Sequence, residues 1–143
     1  MSLTGAYDDD NVFARIVRGE LPSVKVFEDD VTLAIMDAFP QAEGHVLVIH
    51  KASKARNLLD VEPQALSELT ATVQRMARAM TAALDPDGLL LTQFNGAPAG
   101  QTVFHLHFHL IPRREGEALA RHGGGMAPAD QLQAVAAKIR AAL

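Results

Sequence analysis

The sequence predicts an α+β domain, a mostly antiparallel sheet of five strands with helices packed on one side. Three observations predict it. Short apolar and β-branched segments alternate with turn-forming residues before position 50 and again between positions 88 and 111. The segment from Pro63 to Leu84 instead carries apolar residues at helical spacing. No repeat, low-complexity block or linker divides the 143 residues, so one core and one domain are expected.

The elements follow in order. Met1 to Asp10 is small, polar and acidic, and is expected to be a mobile tail ahead of a domain spanning residues 11–143. It has no basic start followed by an apolar stretch, so no signal peptide is expected. Asp10 can cap a short helix from Asn11 to Arg18, which Gly19 ends before Leu21-Pro22 starts an extended segment. Val24 to Phe27 reads as a strand, Glu28-Asp29-Asp30 as a solvated turn, and Val31 to Met36 as the hairpin partner. Asp37 to Gly44 is a loop, and His45 to Ile49 a third strand.

Asp60-Val61-Glu62-Pro63 has the form of a helix start, with Asp60 as cap and proline in the first turn. Leu66, Leu69, Val73, Met76, Ala77, Met80 and Leu84 then mark one face of a long helix that ends before Asp85-Pro86-Asp87-Gly88. Leu89 to Phe94 is a fourth strand, Asn95 to Gly100 a glycine-rich loop, and His105 to Ile111 a fifth strand. His122-Gly123-Gly124-Gly125 reads as a flexible break. Pro128 to Ala142 is a C-terminal helix with Leu132, Val135 and Ile139 on its packing face.

Composition narrows the function. Apolar content of 48% and charged content of 21% fit a soluble globular chain, and no apolar run is long enough to span a bilayer. The absence of cysteine excludes thiol catalysis, disulfides and thiolate metal sites, and makes the cytoplasm the default location. A net charge of −4 has the wrong sign for nucleic acid as the main partner.

The chemistry concentrates in His105-Leu106-His107-Phe108-His109-Leu110-Ile111. Side chains two apart on a strand share a face, so three of the six histidines would stand in a row. Aligned imidazoles suit proton handling, nucleophilic attack or metal binding. Asn95-Gly96 and Ala99-Gly100 allow backbone to approach a ligand closely, and Gln101 and Thr102 add hydrogen-bonding groups. Together these could cradle phosphate oxygens. His45 starts another strand and could reach the same face. Asp37 ends a strand, where it could accept from a pair of sugar hydroxyls. Arg113-Arg114, His50 and His122 read as surface residues. A neutral imidazole attacks phosphorus competently at pH 7, and the middle histidine has flanking groups on both sides.

The chain resembles the histidine triad (HIT) family, whose signature His-φ-His-φ-His-φ-φ, with φ apolar, is matched at every position from His105 to Ile111. The likeness runs from about Asn11 to Arg113. It takes in Phe13 to Pro22, Glu28-Asp29-Asp30, Met36-Asp37, Gly44 to Ile49, Asn95-Gly96 and Ala99 to Val103. It implies a HIT-like fold, a homodimer whose sheets join across the interface, and a long helix contributing to that interface.

The resemblance also implies hydrolysis or transfer at the α-phosphate of a purine nucleotide, an AMP or GMP conjugate. His107 would be the nucleophile, His109 would contact the phosphate, and His105 would orient His107 through its backbone carbonyl. His45 would lie on the leaving-group side. Asn95, Gly100, Gln101 and Thr102 would surround the phosphate, and Asp37 would bind the ribose. Phe13, Ile16, Leu21, Ile35 and Ala38 would wall the base pocket. Many bacterial members carry Cys-x-x-Cys and a later histidine for a structural zinc. Asn11, Ala14 and Ser53 stand at those places, so neither zinc nor another cofactor is expected. The amino-terminal region resembles the Hint branch, which cleaves nucleoside phosphoramidates. The Ala-Gly-Gln-Thr-Val and Ile-Pro-Arg segments resemble the Fhit branch, which favours dinucleoside polyphosphates. A nucleotide-binding regulator with incidental slow hydrolysis is the remaining alternative.

Overall fold

The structure is a computed structural model that describes residues 2–121 and 124–143. His122 and part of the expected break at His122–Gly125 lie outside the described residues. The elements are α1 (Val12–Val17), β1 (Lys25–Glu28), β2 (Thr32–Met36), β3 (Val46–His50), α2 (Pro63–Leu84), β4 (Gly88–Thr92), a 3-10 turn (Ala97–Ala99), β5 (His107–Arg113) and α3 (Ala129–Ala141). The five strands form one antiparallel sheet in the order β1-β2-β3-β5-β4.

The expected α+β architecture is observed, with one change in layering. Helices were expected on one side, but they occupy both faces. On one face α2 and α3 cover Val26, Ala34, Met36, Val46, Val48 and Leu110. On the other, Phe13 and Ile16 of α1 pack with Leu33, Ile35, Leu47 and Ile49. β2 and β3 are therefore buried at every position. Their near-continuous apolar composition already has the form of strands covered on both sides. Leu69, Met76, Met80 and Ile139 are fully buried between the helices and the sheet, each contributing about 1.5–3 kcal/mol of transfer free energy.

The helix ends differ from expectation in an instructive way. Asn11, rather than Asp10, caps α1, its Oδ1 accepting from the Ala14 N–H at 2.9 Å. Asp60 does not cap α2. Its carboxylate accepts the Arg56 and Asn57 N–H groups instead, and Glu62 stands at the cap position without a side-chain bond. Proline at the first helical position makes that tolerable, because it has no N–H to satisfy.

β5 is shifted along the chain from the expected His105–Ile111 to His107–Arg113. Pairing with β3 runs from Val46↔Leu110 to Ile49↔His107 and stops there. Beyond it the Leu106 N–H donates to the Ala55 carbonyl in a loop, at 3.0 Å. At the other end Arg113 gains a partner in Gly88. The partner strands, not the local alternation, set the limits of β5.

Residues 2–10 lie against the domain. The Arg56 guanidinium donates to the carbonyls of Ala6 (3.0 Å) and Ser2 (3.1 Å), and the Asn57 amide donates to that of Leu3 (2.9 Å).

Candidate active site

The register places His107 opposite Ile49 and His109 opposite Leu47. Both imidazoles therefore stand on the α1 face of the sheet, while Phe108 and Leu110 turn to the α2 face. Their ring centroids are 4.9 Å apart. His105 precedes the strand, so the three imidazoles do not form one continuous strand-borne row.

That displacement gives His105 a different task. Its Nε2 lies 3.0 Å from the His50 carbonyl. A carbonyl can only accept, so Nε2 carries the proton and Nδ1 is an acceptor. The Tyr7 hydroxyl donates to that Nδ1 at 2.6 Å. Burial holds the pKa of His105 down to about 4, so the ring is neutral at pH 7. The carbonyl of His105 in turn lies 2.7 Å from His107 Nδ1. His107 therefore holds a proton on Nδ1. Phe13 packs its ring edgewise against His107 at 4.8 Å between centroids.

A second chain fixes His109. The Gln41 N–H donates to His45 Nδ1 at 3.1 Å, so His45 carries its proton on Nε2. That nitrogen is 2.9 Å from His109 Nδ1 and 3.4 Å from Asp37 Oδ2. The proton on His45 leaves His109 Nδ1 to accept and places the His109 proton on Nε2. Gly44 makes this arrangement possible. It adopts φ +90°, and a Cβ there would come within 2.7 Å of Leu84 Cδ1.

Among the described residues, Asp37, His45 and His109 also have ligating atoms within 4.8 Å of one another. A carboxylate with two imidazoles suits zinc, but a shared ion needs each nitrogen at about 2.0–2.1 Å. The 2.9 Å between the two rings is hydrogen-bond geometry.

The loop before β5 is held by its own side chains. Gln101 is buried. Its Oε1 accepts the Gly96 N–H (2.8 Å), and its Nε2 donates to the carbonyls of Arg56 (2.7 Å) and Val103 (3.1 Å). Asn95 accepts through Oδ1 from the Leu58 N–H (2.9 Å) and the Gln93 amide (3.0 Å). Gly100 has φ +113°, and a Cβ there would meet the Phe94 ring rather than open space. These residues shape the loop, while Thr102 faces the cleft.

The cleft has a volume of about 650 Å³, within the usual range for a small-molecule site. Of the residues expected at the site, Phe13, Ile16, Ile35, Asp37, Ala38, Thr102, His107 and His109 line it. His45, Leu21, Asn95, Gly100, Gln101 and His105 do not. Leu21 packs against the small core under α1. Sequence reasoning missed Phe39, the Pro22–Val24 segment, and Met126, Leu132 and Gln133 from the carboxyl-terminal region. Nothing local signals the last three. They arrive because the Ala127 N–H donates to the Ala38 carbonyl and the Ala120 N–H to that of Gln41.

His50, expected at the surface, is buried. Its Nδ1 accepts from Ser53, and its Nε2 lies 3.2 Å from Glu68. Arg114 donates to the carbonyls of Leu84 and Asp85 at the end of α2.

Neighbouring imidazoles that line a cleft over a five-stranded antiparallel sheet define a histidine triad protein. Residues 18–116 match the family model of the HIT domain, and the chain belongs to the HIT family. The structure resembles the crystal structure of a Hit-like protein from Bartonella henselae described as involved in cell-cycle regulation. The two are 48% identical with a TM-score of 0.92, covering 97% of this chain and all of that one. A zinc-bound histidine triad family protein from Mycobacterium smegmatis is 36% identical with a TM-score of 0.80, over 93% of this chain and 92% of that one. Among curated relatives, an adenosine 5'-monophosphoramidase of Saccharomyces cerevisiae is 39% identical over 80% of this chain and 70% of its own length. An adenylylsulfatase of Arabidopsis thaliana is 38% identical over 80% of this chain. The match spans 60% of the plant protein's length.

Proposed function

We propose that this protein hydrolyses purine nucleoside 5'-phosphoramidates, or related AMP or GMP conjugates, at the α-phosphate through a nucleotidyl-histidine intermediate. The observation that carries this reading is the 2.7 Å bond from His107 Nδ1–H to the His105 carbonyl, which leaves the Nε2 lone pair of a cleft-lining imidazole for attack. Nε2 attacks phosphorus, the phosphorus–nitrogen bond to His107 forms, and the bond to the leaving group breaks. The leaving amine takes up a proton from solvent, and the water that later attacks returns one to solvent. His109, with its proton on Nε2, hydrogen-bonds a phosphoryl oxygen and offsets the charge that develops there. Water then attacks phosphorus, releases the nucleoside monophosphate and restores His107.

The apolar walls of Phe13, Ile16, Ile35 and Ala38 suit a nucleobase. Asp37, at the cleft edge, binds the ribose hydroxyls, and Thr102 meets the phosphate. His45 acts through His109. Asn95, Gly100 and Gln101 hold the loop that carries Thr102. Nothing in this scheme calls for a metal. Asn11 spends its side chain on capping α1, and the Ser53 hydroxyl accepts from the Ala55 N–H. The activities named for the yeast and plant relatives also act on adenylyl groups joined to nitrogen or sulfate.

The test compares adenosine 5'-phosphoramidate with diadenosine polyphosphates, with chelator and with added magnesium. Phosphoramidate turnover that survives chelation and is abolished by His107→Ala is expected, with the variant still folded and still binding AMP. Preference for the polyphosphates moves the protein to the Fhit-like reading. AMP binding with no turnover makes it a binding protein. Turnover retained by His107→Ala removes His107 as the nucleophile.

A further inference from the structure

The sole tyrosine of the chain lies outside the stretch that matches the HIT domain, which begins at residue 18. Tyr7 belongs to a segment with no helix or strand, yet its hydroxyl reaches a histidine 98 positions away in sequence at 2.6 Å. The ring stacks at a tilt on His105, with 5.8 Å between centroids. The segment is tethered on the amino side of Tyr7 by Arg56 and Asn57, and on the carboxyl side by Arg18, which donates to the Asp9 carbonyl at 2.6 Å.

We propose that Tyr7 is a positioning residue for the reaction. Its hydroxyl locks His105, and His105 passes that restraint to His107 through its carbonyl. The connection runs through three bonds, each with its direction set by chemistry. Tyr7 O–H donates to His105 Nδ1, His105 Nε2–H donates to the His50 carbonyl, and His107 Nδ1–H donates to the His105 carbonyl. His105 sits in the bend before β5, where no ladder bond holds it. The side-chain bonds at its two ring nitrogens therefore replace the ladder in fixing how its carbonyl points. With the Tyr7 bond gone, the ring is held at one end only and the carbonyl gains freedom. His107 then samples orientations and tautomers in which its Nε2 is not aimed at phosphorus. Burial raises the pKa of the Tyr7 hydroxyl above its usual value, so it remains a donor across the working pH range.

This inference rests on the proposed role of His107, and its test separates the two. The ring nitrogens of His105 and His107 are followed by 15N NMR in the full chain and in Tyr7→Phe, with steady-state kinetics on adenosine 5'-phosphoramidate alongside. Tyr7→Phe keeps the ring and removes the hydroxyl, and with it both the bond to His105 and the contact of the Asn11 side chain with the same oxygen. The expected result is a shift of His105 Nδ1 toward an unbonded acceptor and a rise in the minor tautomer of His107. With these comes a fall in kcat of about fivefold at unchanged KM, the worth of one neutral hydrogen bond. Asp9→Asn, which removes an exposed ion pair to Lys54 in the same segment, is expected to leave kcat and both spectra as they are. Unaltered His107 resonances in folded Tyr7→Phe overturn the proposal, as does a tautomer change with no change in kcat. If the unmodified protein hydrolyses none of the substrates, the function fails and the His107 resonances alone decide on Tyr7. Should Tyr7→Phe unfold, Tyr7→Trp supplies an indole donor, and a His107 spectrum identical to that of the unmodified protein at lowered stability assigns Tyr7 to packing alone.

Discussion

Asp37 serves two groups at the end of β2. Its Oδ1 accepts the Phe39 N–H at 2.8 Å, and its Oδ2 lies 3.4 Å from His45 Nε2. The carboxylate is thus held at the cleft edge by the loop it begins, and a ribose would meet a preoriented acceptor. Asp37→Ala is expected to weaken AMP binding roughly tenfold or more, as loss of hydrogen bonds to a charged group does. Unchanged affinity in calorimetry would remove Asp37 from the ribose site. His105 carries a stability consequence. Burial lowers its pKa from 6.5 to about 4. The unfolded chain takes up a proton below pH 6.5, and the folded chain resists it until about pH 4. Its contribution to stability is complete above pH 6.5 and is lost as the pH falls toward 4, on the order of 3 kcal/mol in all. Urea midpoints should decline through that window, and His105→Gln, which cannot titrate, should decline less steeply. Equal slopes for the two proteins would contradict a neutral, buried His105.

At the scale of elements, α2 and α3 show how legible a helix is. The apolar period from Leu66 to Leu84 located α2, and the structure has it at Pro63–Leu84. Leu132, Val135 and Ile139 located α3, and all three are buried. Their partners were not legible, because helical period says which face is apolar but not what meets it. α3 packs on α2 and on β1, and the chain leading into it supplies the outer wall of the cleft. Ile139 is fully buried there. Ile139→Ala should cost about 2–5 kcal/mol, measured by denaturant unfolding. A cost below 1 kcal/mol would mean that α3 is only loosely docked. β5 gives the converse case. Alternation correctly paired His107 with His109 on one face, yet it also assigned His105 to the strand. The available ladder partners ended at Ile49, and that is information no window around His105 contains.

For the whole molecule, the sheet order leaves β4 at an edge beside the histidine strand. Leu91 on that strand is 51% exposed, and Leu89 and Leu90 are only partly covered. A long apolar edge in a stable monomer is a liability that proteins usually cover. The homodimer that the family resemblance implies, with sheets joined across its interface, would cover such an edge. Light scattering should give twice the 15.3 kDa chain mass, and Leu91→Lys should shift the protein toward monomer. A monomeric unmodified protein would exclude the dimer. No helix among the described residues is long and apolar enough to cross a membrane.

By itself the sequence determined the α+β class, the places of both long helices, the faces of His107 and His109, and the histidine triad resemblance. Each of these is written locally, as a period or an ordered motif, and survives being read one window at a time. Only the tertiary structure decided which side chains reach the cleft. Gln101 is the kind of residue that binds phosphate, yet both polar atoms of its buried amide are bonded within the protein, because a buried amide must be satisfied by whatever backbone lies nearest, and the Asn95 Oδ1 accepts from Leu58 in a neighbouring loop. Tyr7 has no motif around it and sits in a stretch that composition marks as mobile. It reaches His105 because the tail folds back along Arg56 and Asn57, and a contact across 98 positions is set by the path of the chain rather than by its local spacing.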